Sequence, residues 1–224
     1  MEMTAMDAGN LRILVADDHP LFRAAIVHAL QPFTGSGGSI AEASSFASLS
    51  AAVIENPELD LVLLDLNMPG AQGFSSLVYL RGERPALPVI VISSNDHPRT
   101  VGRAQQFGAA AFVPKSAPPA VLQNALRVVM QGDEWFPPQR AARSAEDAKL
   151  AEQLAQLTPQ QFRVLMAMAD GLLNKQIAHE LGLAENTVKV HITAVLRKLE
   201  CYSRTQAAVK VKALQPEPEA GDPG

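Results

Sequence analysis

Over the first 131 residues, short apolar runs alternate with longer helical patterns, and this constrains the fold more than any other feature. The runs are Leu11 to Ala16, Ile40 to Ala43, Leu59 to Leu64, Val89 to Ile92 and Ala111 to Val113. Between and after them, 3.6-residue periodicity predicts helices over Pro20 to Gln31, Ser45 to Glu55, Phe74 to Arg81, Thr100 to Phe107 and Pro118 to Gln131. Apolar strands joined by helices imply a parallel sheet covered on both faces. Five βα units in about 120 residues fit the doubly wound, flavodoxin-like order 2-1-3-4-5.

The remaining chain differs. Asp133 to Gln153 holds Pro137, Pro138, charges and alanines, with a weak helical pattern only near its end, and reads as a linker. Residues 154–214 contain no strand-like run and predict helices over Pro159 to Asp170, Asn174 to Leu181, Glu185 to Leu199 and Arg204 to Leu214. The tail from Gln215 is rich in proline and acids and is expected to be disordered. The chain therefore divides into an α/β domain at 10–131, a linker at 132–153, an all-α domain at 154–214 and a tail at 215–224.

Cys201 is the only cysteine, which excludes an internal disulfide or a cysteine-based zinc site. No apolar run approaches the roughly 18 to 20 residues of a membrane span. The polar, acidic N-terminus does not look like a signal peptide, so a cytoplasmic protein is expected. Residues 10–131 balance eight basic against nine acidic side chains, whereas 154–214 carry eight against four. Only the rear module suits a polyanion.

In a doubly wound sheet, chemistry gathers at the carboxyl ends of the strands. The first strand ends in Asp17 and Asp18, the third in Asp65, the fourth in Ser93 and the fifth in Pro114 and Lys115. Three crowded carboxylates need a cation, and an oxygen-only donor set suits Mg²⁺. A carboxylate can act as nucleophile and carry a phosphoryl group, with Lys115 pairing to a carboxylate or to the incoming phosphate. One such aspartate alone reads first as a turn or helix cap. Four strand ends with complementary chemistry point to function.

The strings VADDHPLFR (15–23), LLDLNMPG (63–70), VIVIS (89–93) and FVPK (112–115) resemble the receiver domain of bacterial two-component response regulators. The resemblance implies Mg²⁺-dependent transfer of phosphate from a sensor histidine kinase to Asp65. Asp17, Asp18, Asp65 and the main-chain carbonyl of Asn67 would ligate the metal. Lys115 would hold phosphoryl oxygens, with Ser93 and Phe112 as the switch pair; the alternative for Phe112 is a plain core residue. Ser116 stands where many relatives carry proline, which puts the geometry after Lys115 in question. The Gly-rich stretch Phe33 to Ser39 has no phosphate-loop pattern and reads as a flexible connection.

In the rear module, two predicted helices joined by Gly182-Leu183-Ala184 form a helix-turn-helix pattern. A recognition helix inserts its N-terminal part into the major groove. Lys189, Val190 and Thr193 are placed to read bases, and Thr187, His191 and Arg197 to touch phosphates. The same shape could also serve protein docking. The strings LTPQQFRVL (157–165), NKQIA (174–178), TVKVH (187–191), LRKL (196–199) and SRTQ (203–206) resemble the LuxR-type DNA-binding domain. That match adds Asn174, Lys175, Lys198 and Arg204 to the expected DNA contacts. Gln160 and Gln161 replace the usual Arg-Glu pair. Cys201 reads as a packing residue rather than a redox switch.

Together the two modules look like a NarL/FixJ-type response regulator. That implies a transcription regulator, not an enzyme, with double-stranded DNA as a partner, a homodimer when phosphorylated, and RNA polymerase as a further candidate partner. A phosphatase of the haloacid dehalogenase class would need a second acid at Asn67. A constitutive DNA-binding module would leave the intact acidic set unexplained. In the unphosphorylated chain the receiver is expected to cover Lys189 and its neighbours. Ala207, Ala208, Val211 and Leu214 offer an apolar stripe either for pairing with a second copy or for packing within their own domain.

Overall fold

The computed structural model describes residues 10–137 and 144–216. The first domain runs β1 (Arg12–Ala16), α1 (Pro20–Thr34), β2 (Ser39–Ala43), α2 (Phe46–Glu55), β3 (Leu61–Asp65), α3 (Ser75–Glu83), β4 (Val89–Ser93), α4 (Pro98–Gln106), β5 (Ala111–Pro114) and α5 (Pro119–Met130). The strands form one parallel sheet in the order β2-β1-β3-β4-β5. This is the flavodoxin-like architecture that the alternation implies.

Successive strand residues face opposite sides, and the core divides accordingly. Ile13, Val15, Leu61, Leu63, Ile90 and Ile92 pack with Ile26, Leu30 and Phe33 of α1 and with Leu122 and Leu126 of α5. Leu14, Val62, Leu64, Val89 and Val91 pack with α2, α3 and α4 through Leu49, Leu77 and Val101. Helix α1 passes the expected stop at Gln31 and runs through Pro32, with Phe33 buried in its last turn. The Gly-rich stretch that follows is tied rather than loose. The Gly37 amide donates to Asn10 Oδ1 at 3.0 Å, and a Cβ on Gly38 would lie 2.3 Å from the Thr34 carbonyl oxygen.

The stretch expected to be a bare linker is structured over much of its described length. Trp135 extends the sheet edge beside β5, its amide donating to Ala110 O and its carbonyl accepting from the Phe112 amide, both at 3.0 Å. Helix α6 (Ala145–Ala155) starts at Ser144, whose hydroxyl accepts from the Glu146 and Asp147 amides. It buries Leu150 and Leu154.

The second domain comprises α7 (Pro159–Ala169), α8 (Asn174–Glu180), α9 (Glu185–Lys198) and α10 (Arg204–Lys212). Ile177, Val188, Val195, Leu199, Ala207 and Val211 fill its centre with Phe162 and Leu165 of α7. Of the stripe on α10, Ala207, Val211 and Leu214 are buried within the chain, so internal packing takes it. Of the expected disordered tail, Gln215 and Pro216 are described, while 217–224 lie outside the described residues. Among the described residues, no helix is long and apolar enough to cross a membrane.

Helix α7 opens on a capping box. The Thr158 hydroxyl accepts from the Gln161 amide at 3.3 Å, and Gln161 Oε1 accepts from the Thr158 amide at 3.2 Å. Gln161 thus takes over local duties at one of the positions where the family's charge pair is absent. Thr158→Ala should cost about 1 kcal/mol, read as a lower urea midpoint with unchanged slope.

Candidate functional site

The strand order brings the carboxyl ends of β1 and β3 side by side, with Ala16 opposite Leu64. Asp17 and Asp65 are buried at these ends, and Asp18 is half-buried. Ligand atoms of Asp17, Asp18, Asp65 and His19 all lie within 4.8 Å of one another. Lys115, following β5, reaches across to Asp65 Oδ2 at 2.7 Å and Asp17 Oδ2 at 2.8 Å.

These groups set one another's charge state. Burial raises the Asp65 carboxyl above the usual aspartate range, opposed by the hydrogen bond and charge of Lys115 and by the Asn67 amide. Burial pulls Lys115 down, but its hydrogen bonds to Asp17 and Asp65 outweigh this, and its ammonium ends above the ordinary lysine value. That contribution to stability is present below the ordinary lysine range and is lost as pH rises through the raised value. One ammonium faces three carboxylates, so the all-oxygen set fits a further divalent cation.

The chain also supports this pocket with residues to which the motif VADDHPLFR assigns no role. Arg23 of α1 donates from Nη1 to the Asp17 carbonyl at 2.6 Å and from Nε to Glu42 of β2 at 2.7 Å. His19 donates its amide to Asp17 Oδ1 at 2.8 Å and places Nδ1 2.7 Å from Asp18 Oδ1. Phe22 lies beneath the Lys115 ammonium, 4.8 Å from ring centre to Nζ. Their signal was only position, within the first turn after the paired acids.

Ser93 is buried at the end of β4, and its hydroxyl accepts from the Asn95 amide at 3.2 Å. Phe112 is fully buried in β5, among core residues. The bond after Lys115 is trans, since no cis peptide occurs among the described residues.

On the second domain, Lys175, Thr187, Lys189, Val190, Thr193 and Arg197 are exposed. Val190 is 67% exposed, unusual for an apolar side chain. His191 is half-buried. The Thr193 hydroxyl donates to the Lys189 carbonyl at 3.0 Å, and Lys189 pairs with Glu185 one turn earlier at 3.2 Å. Three expected contacts, Lys198, Arg204 and Asn174, bond within the protein. Lys198 Nζ donates to Gln156 O at 2.8 Å and Gln161 Oε1 at 2.7 Å, bracing the turn before α7. Arg204 donates to Asn174 Oδ1 at 3.0 Å and to Leu172 O at 2.6 Å, so it holds Asn174 and the start of α8.

The receiver does not cover Lys189. It packs on α6, α7 and the end of α10 instead. Arg163 of α7 donates to the Tyr79 hydroxyl at 2.9 Å, and Gln72 donates to Asp170 at 3.0 Å. The reason is where apolar surface lies: Tyr79 and Phe162 join one continuous core, whereas the outer face of α9 is mainly polar. Cys201 is buried, and burial pushes its thiol up, which fits packing.

Residues 13–127 match the response regulator receiver domain family, and residues 155–211 match the bacterial regulatory proteins of the luxR family. The chain is 40% identical over 206 residues to a glycerol metabolism activator of Pseudomonas putida, covering 88% of this chain and 92% of that protein. It is 35% identical over 204 residues to the nitrate/nitrite response regulator NarL of Escherichia coli, covering 89% and 94%. Among solved structures it is similar in fold to the response regulator RcsB of Salmonella typhimurium, with TM-score 0.54 at 21% identity, covering 89% of this chain and 98% of that one.

Proposed function

The chain belongs to the two-component response regulators that join a receiver to a LuxR-type DNA-binding domain, and from that premise we propose that Asp65 is the phosphoacceptor and α9 the DNA-reading helix. The observation that carries the first assignment is the Asp65 carboxylate, held by Lys115 at 2.7 Å beside Asp17 and Asp18. An Asp65 oxygen attacks the phosphorus of a sensor kinase phosphohistidine. The O–P bond forms as the N–P bond breaks, and the departing imidazole keeps the electron pair and takes up a proton.

Asp17, Asp18, Asp65 and the Asn67 carbonyl would hold Mg²⁺, which when bound neutralises charge on the phosphoryl oxygens. Lys115 turns from the Asp65 carboxylate to a phosphoryl oxygen without losing Asp17. Ser93 turns its hydroxyl toward the phosphate, and Phe112 follows into the space behind it. The DNA partner is double-stranded, read by Lys189, Val190 and Thr193, with Lys175, Thr187, His191 and Arg197 beside the backbone. Phosphorylation favours a homodimer on paired half-sites, since one recognition helix buries little surface. RNA polymerase is a further proposed partner of the DNA-bound dimer.

Incubation with acyl phosphate and Mg²⁺ tests the first assignment. We expect one hydroxylamine-labile phosphoryl group per chain. Turnover of phosphoesters would indicate a phosphatase, and absence of label a constitutive DNA-binding module. The metal site has its own check. Mg²⁺ binds only the folded pocket, so the melting temperature should rise with the logarithm of its concentration above the dissociation constant. Asp17→Asn should flatten that rise, and an undiminished response would remove Asp17 from the site.

A further inference from the structure

Val190 and Thr193 lie three positions apart on α9 and are both exposed, so their side chains are neighbours on its outer surface. Val190 leaves an apolar side chain 67% open to water. Thr193 is polar by composition but not by what it turns outward. Its hydroxyl donates to the Lys189 carbonyl one turn back at 3.0 Å. A helical threonine makes this bond by rotating its oxygen toward the preceding turn, and the γ-methyl is then the outward group.

That bond also limits what Thr193 can recognise. Its one hydroxyl proton is spent on the backbone, so it has none to offer N7 and O6 of guanine, N7 of adenine or O4 of thymine. Val190 has no polar atom in its side chain. Both residues are β-branched and stiff about χ1, so the pair is shaped in advance and loses little freedom on binding. Cations surround it. Lys189 lies beside it with its ammonium 3.2 Å from Glu185, and Lys175 and Arg197 are exposed on the same module. That module carries eight basic against four acidic side chains. An apolar patch in a basic setting suits an apolar group borne by a polyanion. In the major groove that group is the 5-methyl of thymine, which the other three bases lack.

We propose that Val190 and Thr193 form a methyl patch that reads the 5-methyl group of thymine and sets this chain's base preference at the contacted pairs. The proposal rests on the reading of α9 above and adds which base is selected and by which atoms. Three residues of helix rise about 4.5 Å, little more than the spacing of about 3.4 Å between bases on one strand. The patch therefore spans one or two adjacent thymines. Thr193 acts through its methyl, and its hydroxyl serves to aim that methyl.

Deoxyuridine tests this on the unaltered protein, because uracil is thymine without the methyl and keeps its O4. The probe is the duplex that the full chain, treated with acyl phosphate and Mg²⁺, enriches from a random-sequence pool. Each enriched thymine is then replaced singly by deoxyuridine. Wild type should lose about fourfold in affinity at one or two positions, the worth of one methyl-sized apolar group, about 0.8 kcal/mol. No loss at any position, or an enriched duplex without thymine, would overturn the proposal. Two variants then assign the atoms. Thr193→Ser keeps the hydroxyl and deletes the methyl, so it should stop distinguishing thymine from deoxyuridine at one of these positions. Thr193→Val keeps a methyl and deletes the hydroxyl, so it should still distinguish them. The reverse pattern would give the reading to the hydroxyl and overturn the methyl patch. Lys189→Ala separates this proposal from the one beneath it. If that variant binds the enriched duplex more weakly while deoxyuridine costs nothing, α9 reads DNA and the methyl patch falls. If neither change has an effect, or no duplex is enriched, the reading of α9 falls and the patch with it.

Discussion

Asp65→Asn is expected to abolish phosphoryl uptake entirely while leaving the fold intact. The amide keeps the shape of the carboxylate and its place at the end of β3, but it has no anionic oxygen to attack phosphorus. Folding should survive for two reasons. Burial already raises the Asp65 carboxyl, so losing the charge relieves a desolvation cost. Lys115 keeps Asp17 at 2.8 Å as its partner. Intact mass after acyl phosphate and Mg²⁺ treatment reads the result directly. Wild type should gain about 80 Da, one phosphoryl group, and the variant nothing. An equal gain in the variant would move the phosphoacceptor elsewhere.

The second large effect is expected on α9. Lys189→Ala should weaken binding to a specific duplex by about 1 to 3 kcal/mol if the ammonium reads a base, and should weaken all duplexes alike if it meets only phosphate. Its side chain is exposed and pairs with Glu185 one turn away. Competition between specific and random DNA separates the two outcomes. No loss on either would remove Lys189 from the interface. Lys198→Ala supplies the contrast. Its ammonium is spent on Gln156 and Gln161, so the variant should lose domain stability and keep its DNA preference, although the sequence counts both lysines among the DNA contacts.

That pair of lysines marks the boundary of what the sequence carries. Helical periodicity placed both on α9, but it does not say that the turn before α7 arrives beside one of them. Arg204 and Asn174 repeat the lesson. Each is polar and each lies in a DNA-binding motif, yet in the fold they bond to each other at 3.0 Å.

The acidic pocket was legible for a definite reason. A parallel strand buried on both faces is a continuous apolar run, and in the 2-1-3-4-5 order its carboxyl end has a known neighbour. The strand order alone therefore brings together the residues that follow Ala16, Leu64, Ile92 and Val113. His19 and Arg23 escaped because part of their support runs through the backbone, by the His19 amide and the Asp17 carbonyl, which no side-chain pattern encodes.

The sequence by itself determined the two modules, the strand order, the clustered carboxylates and the helix-turn-helix, since each follows from local periodicity or from what ends a strand. Only the tertiary structure decided that α6 and the end of α10 dock on α3 and α4, that Trp135 borders β5, and that the recognition helix stays open. The physical reason is range. Arg103 meets the carbonyls of residues more than a hundred positions away, and such contacts depend on how two finished surfaces fit, a property that no stretch of either surface carries alone.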